Sequence, residues 1–115
     1  ANNGSNNVGV LLNAGNGIFL TQVTYPTGSG SSPYSVAVAD VNNDSRPDIV
    51  VANDAANNVG VLLNAGNGIF LGQTTYSTGA GSGPYAATLG DVNNDGRPDI
   101  IVANDGSNNV GVLLN

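Results

Sequence analysis

Asp40-Val41-Asn42-Asn43-Asp44-Ser45-Arg46-Pro47-Asp48 and Asp91-Val92-Asn93-Asn94-Asp95-Gly96-Arg97-Pro98-Asp99 are one nine-residue stretch met twice, 51 positions apart. Each runs into a β-branched segment, Ile49 to Asn53 or Ile100 to Asn104, so a polar loop feeds a strand. The two loops hold six of the chain's eight carboxylates. A hard cation such as calcium takes roughly six to eight oxygen ligands at about 2.3–2.6 Å. The spacing D-x-N-x-D-x-x-x-D offers side-chain oxygens from its first, third, fifth and ninth positions and a carbonyl from its seventh, which predicts one calcium ion per loop. An EF-hand is excluded, because Val51 or Val102 stands where that loop needs Glu and a strand follows instead of a helix. The metal-free alternative is a hairpin closed by Asx-turns. Three carboxylates within nine residues repel one another in an empty loop, which favours the cation.

Working outward, the repeat covers the chain. Residues 14–64 and 65–115 align without gaps and are identical at 37 of 51 positions. Residues 1–13 then match 103–115 at every position except Asn3. The expected organisation is a partial repeat (1–13, a terminal strand) followed by two units (14–64 and 65–115). Each unit reads as four short strands, roughly Val8 to Leu12, Ile18 to Tyr25, Ser35 to Ala39 and Ile49 to Asn53 in the first copies, bounded by Asn, Gly, Pro and Ser. No segment carries a sustained 3.6-residue period. The chain is therefore expected to be all-β, with tandem four-stranded antiparallel blades of β-propeller type at a period of 51 residues.

The segments DVNNDSRPDIVVAND and DVNNDGRPDIIVAND, each with NAGNGIF upstream, resemble the FG-GAP/VCBS repeats of integrin-alpha-type propellers and of many secreted or surface proteins. The resemblance implies calcium held by Asp40, Asn42, Asp44, the carbonyl of Arg46 and Asp48 in the first loop. In the second loop it implies Asp91, Asn93, Asp95, the carbonyl of Arg97 and Asp99. Position 6 departs from the pattern, being Ser45 in the first copy and Gly96 in the second. A side chain forced to positive φ costs on the order of 1 kcal/mol, so the first loop is expected to be the weaker.

Composition narrows the function. The chain has no Cys, His, Met, Trp, Lys or Glu, and Arg46 and Arg97 are its only cationic side chains. A Ser, Thr or Tyr nucleophile would lack the usual bases, so no catalytic role is expected. With a formal net charge of −6, a phosphate-tracking surface is absent and nucleic acid is excluded as a partner. Two calcium ions would offset four of those charges. No apolar run reaches the length of a membrane span, so no membrane insertion is expected. No signal peptide is visible, and a chain opening at Ala1 is expected to be processed or cut from something longer. Loops of modest affinity fill where calcium is near millimolar, which points to an extracellular or cell-surface location.

Two blades do not close a ring, so the expectation is an incomplete propeller or an open repeat array. The partners expected are further copies of the same repeat, joined covalently or head to tail through the matching ends, and a glycan or cell-surface protein. The main reading is a structural, adhesive or self-assembling module, with filaments among its forms; a lectin-like carbohydrate-binding module is the alternative. Tyr34 and Tyr85 are expected to pack between blades, with a sugar platform as the second reading. Asp54 and Asp105 read as turn residues, and the Asn pairs at 6–7, 57–58 and 108–109 as turn chemistry. Asn3 and Asn43 head N-glycosylation tripeptides, and the hydroxyl-rich stretch from Thr24 to Ser32 suits O-linked sugar.

Overall fold

The computed structural model describes residues 1–115. Apart from a single 3₁₀ turn at Asn3–Ser5, every regular element is a strand. In chain order these are β1 (Asn7–Val10), β2 (Asn13–Gly15), β3 (Ile18–Phe19), β4 (Val23–Pro26), β5 (Pro33–Ala39), β6 (Asp48–Asn53) and β7 (Asn58–Leu62). They continue with β8 (Asn64–Gly66), β9 (Ile69–Phe70), β10 (Thr74–Ser77), β11 (Pro84–Gly90), β12 (Asp99–Asn104) and β13 (Asn109–Leu113).

One sheet has four strands in the order β10-β7-β6-β5, all antiparallel. It spans residues 33–77, drawing three strands from the unit 14–64 and its outer strand from the unit 65–115. Before it stands the pair β1-β4, and after it the three strands β11-β12-β13. None of the sheets closes on itself. The stretch from Ile18 to Tyr25, expected as one strand, is broken in two: Ile18 and Phe19 pair back onto β2 in a tight hairpin, and only Val23–Pro26 joins β1. Gly15 and Gly17, at φ +94° and +76°, turn β3 back onto β2, and the Leu20 N–H extends that pairing by donating to the Leu12 carbonyl at 2.8 Å, so the chain pairs with one partner up to Leu20 and with another from Val23. The same hairpin recurs as β8-β9.

The core sits between sheets. Val8, Ile49, Val51 and Leu62 fill the first interface, with Val10, Tyr25 and Phe70 packed around them. Val50, Val59, Val61, Ile100 and Val102 fill the second. Strand β6 reads Asp-Ile-Val-Val-Ala-Asn and is buried at every residue, as a strand covered on both faces must be. The glycine inside Asn58–Leu62 has a packing role. A Cβ on Gly60 would collide with the side chain of Gln73, which crosses that strand to donate from Nε2 to the carbonyl of Thr27 at 2.8 Å. One glutamine thus ties the central sheet to the one before it.

Tyr34 and Tyr85 do meet between consecutive sheets. Their ring centroids lie 4.8 Å apart at 36°, yet the rings remain 48% and 54% exposed. Seven of the nine non-glycine residues at positive φ are Asn, at 6, 16, 43, 57, 67, 94 and 108. This explains the asparagine ladders, because Asn tolerates the left-handed region better than other side chains do. Asn6 and Asn57 also accept backbone N–H groups from Ser32 and Gly83, at 3.0 and 3.1 Å. Thr27 and Ser31 are each only 2% exposed and are hydrogen-bonded to each other at 2.8 Å, so sugar is excluded at these two hydroxyls.

Candidate metal centre

Each Asp/Asn loop joins two neighbouring strands of a sheet, β5 to β6 and β11 to β12. Its shape comes from interlocked Asx-turns. In the first loop Asp40 accepts the backbone N–H of Asp44 at 3.1 Å on Oδ1 and that of Ser45 at 2.7 Å on Oδ2. Asn42 Oδ1 accepts the same Asp44 N–H at 3.1 Å, and Asp44 Oδ1 accepts the N–H of Arg46 at 2.9 Å. The second loop repeats this arrangement through Asp91, Asn93 and Asp95, with N–H groups donated by Asp95, Gly96 and Arg97 at 2.8–3.1 Å. These side chains are exposed except Asp40, which is half-buried, and the Asn42 and Asn93 amides donate to Asp44 Oδ2 and Asp95 Oδ2 at 3.0 Å; the lone pairs left over face solvent.

Position 6 turns as expected in both copies, with φ of +66° at Ser45 and +84° at Gly96. Two backbone N–H donors on Asp40 or Asp91 and one on Asp44 or Asp95 fold each loop into its turn. In the second loop the Arg97 N–H, the Asn93 amide and the Arg97 charge hold the Asp95 carboxyl below its ordinary value of 3.8. Arg46 Nη1 stands 3.9 Å from Asp44 Oδ2 at the surface, where such a pair is worth little.

Asp48 and Asp99 are placed differently from their loop mates. Both are fully buried at the first residue of β6 and β12. Asp48 Oδ2 accepts the N–H of Val41 at 3.0 Å and its Oδ1 accepts the N–H of Asn64 at 2.7 Å. Asp99 does the same with Val92 at 3.0 Å and Asn115 at 2.9 Å. Sequence reasoning missed this bracing role, because the partner 16 residues downstream is invisible without the sheet register. No three acidic side chains converge into a group that holds a metal by themselves. A cation here would be held by a mixed set of carboxylates, the Asn amide oxygen, the Arg46 or Arg97 carbonyl and water. That donor set of oxygens alone suits calcium.

Asp54 and Asp105 lie apart from both loops. Each begins a tight turn, its carbonyl accepting the N–H of Asn57 at 3.1 Å or Asn108 at 3.4 Å. No helix is long and apolar enough to cross a membrane.

Neither a curated protein nor a solved structure matches the chain. A family model does: the FG-GAP-like repeat matches residues 1–51 and again residues 40–102. The first match contains the loop Asp40 to Asp48 and the second contains both loops. Strand, Asp/Asn turn and buried strand recur here in the order that the two matches share, and the protein belongs to the FG-GAP-like repeat family.

Proposed function

We propose that this chain is a non-catalytic, calcium-stabilised repeat module of β-propeller type, working outside the cell in structure, adhesion or assembly. The observation that carries the reading is the conformation of the two loops. In both copies the acids at positions 1 and 5 and the Asn at position 3 are folded around one turn, all of them exposed except the half-buried Asp40. Asp40, Asn42, Asp44 and the Arg46 carbonyl would hold one ion, and Asp91, Asn93, Asp95 and the Arg97 carbonyl the other. Asp48 and Asp99 complete the sets with the lone pairs that their N–H partners leave.

The mechanism is linkage. An ion that binds the folded loop and not the unfolded chain stabilises the fold by about 2.7 kcal/mol per site at a hundredfold excess over Kd. Because the loop joins β5 to β6, or β11 to β12, that energy pins the hairpin on which the intersheet packing rests. FG-GAP repeats typically belong to extracellular or cell-surface proteins, where calcium is abundant. Calorimetric titration of chelator-stripped protein is expected to give two sites per chain, with magnesium competing poorly because it sheds water reluctantly. A flat calcium titration on folded protein sinks the reading.

A second reading, carbohydrate binding, is favoured by the half-exposed Tyr34–Tyr85 pair, which presents aromatic surface beside Asn-rich turns. Binding on a glycan array that is lost in Tyr85→Ala would select it.

A further inference from the structure

An apolar groove of about 260 Å³ opens between the central sheet and the last one, lined by Val61, Leu63, Tyr76, Ile100 and Leu113 among others. The corresponding position 51 residues earlier is filled. There the β8-β9 hairpin closes the interface: the Phe70 ring meets the edge of Tyr25 at 5.5 Å and 78°, and the Tyr25 hydroxyl donates to the Gly68 carbonyl at 3.1 Å. Gly68 lies so close to Leu12 that a Cβ would collide with it. Tyr76 and Leu63 are the counterparts of Tyr25 and Leu12, and Tyr76 is 47% exposed. The chain also carries an unseated hairpin of the same sequence, Asn13-Ala14-Gly15-Asn16-Gly17-Ile18-Phe19, with Ile18 and Phe19 62% and 58% exposed. The groove thus continues, one period on, an interface already built in this molecule.

We infer that a second copy of this chain occupies the groove by strand exchange, its residues 1–13 replacing residues 103–115 of the first copy on β12. The replaced and replacing segments differ only at Asp105 and Asn3. The number of strand pairings is therefore unchanged: β13 leaves β12, and the incoming β1 pairs with β12 while keeping its own β4. The three-stranded last sheet becomes four-stranded. Phe19 of the incoming copy comes onto Tyr76, its Gly17 carbonyl onto the Tyr76 hydroxyl, and its Gly17 backbone against Leu63. The step from copy to copy is 102 residues, two periods, so the repeat runs on without a break. The contact is heterologous, since seat and hairpin are different surfaces, and copies add end to end.

This rests on the repeat-module reading above, and its test is separable from calcium binding. In sedimentation of the 115-residue chain in millimolar calcium, assemblies that grow with concentration are expected. Phe19→Asp and Tyr76→Asp, both at exposed positions and of like charge so that the two altered surfaces repel each other, should each weaken association at least tenfold. Mixed together they should form a species of two chains and no longer, because one intact hairpin then meets one intact seat. Val112→Pro weakens the competing β13 and should tighten association several-fold; weaker association in that variant overturns the exchange. A monomer at every concentration, or assembly indifferent to Phe19→Asp, also overturns it. A monomer that still binds two calcium ions leaves the module reading standing. Assembly as described without calcium binding does the reverse.

Discussion

Ser45 and Gly96 answer the same steric demand with different side chains, and Asp48 and Asp44 answer different demands with the same one. Ser45 sits at φ +66°, where a Cβ crowds the backbone by on the order of 1 kcal/mol, whereas Gly96 at +84° is free of that cost. Ser45→Gly should raise stability and Gly96→Ser lower it, each by up to about 1 kcal/mol, the gain at Ser45 being reduced by the extra freedom glycine brings to the unfolded chain. Thermal unfolding in calcium measures both, and equal stabilities would show that the loop relaxes around serine. Asp48 is buried with a backbone N–H on each oxygen. In Asp48→Asn one of those donors faces an NH₂ group, so stability should fall by about 1–3 kcal/mol already in chelator, and the calcium-dependent gain should shrink as well because a ligand oxygen is lost. Asp44→Asn keeps an oxygen for the Arg46 N–H and is exposed; it should change stability in chelator by less than about 0.5 kcal/mol while losing the calcium-dependent gain. Denaturant titrations with and without chelator separate bracing from ligation.

At the scale of the element, β7 and β13 share the sequence Asn-Val-Gly-Val-Leu and differ in everything packing decides. Val59 is fully buried against the following sheet, and its counterpart Val110, with no sheet packed on it, is 66% exposed. Val59→Ala should therefore cost about 2 kcal/mol, and Val110→Ala less than about 0.5 kcal/mol, in chemical denaturation of the chain at concentrations where it is monomeric. Similar losses at both sites would mean that β13 is covered in solution. The two hairpins make the same point. Strands β2 and β3 have the sequence of β8 and β9, yet only the second hairpin has a tyrosine to close against.

For the whole molecule, only 20 of 115 residues are buried, and the apolar core is divided between two intersheet layers. So thin a core leaves stability dependent on what pins the loops. With both sites at a hundredfold excess over Kd, calcium should add roughly 5 kcal/mol, twice the single-site gain, and raise the unfolding temperature by well over ten degrees. Calorimetric scans in calcium and in chelator check this, and superimposable scans would remove the metal from the account of stability.

The amino-acid sequence by itself determined the all-β class, the 51-residue period and the loops that join β5 to β6 and β11 to β12. Those features rest on local chemistry: β-branched runs, Gly and Asn at positive φ, and Asp at alternate positions of a turn. It also placed the Tyr34–Tyr85 contact, since one residue recurring at the repeat period falls on the same spot of neighbouring sheets. What only the tertiary structure decided depends on partners distant in the chain. The break between Phe19 and Val23, the two N–H groups that take up Asp48, and the crossing of Gln73 over Gly60 follow from register and intersheet packing. Identical segments cannot announce which copy is buried. Burial belongs to the neighbour that covers a strand: β7 has one in the following sheet, and β13, of the same sequence, is left largely exposed.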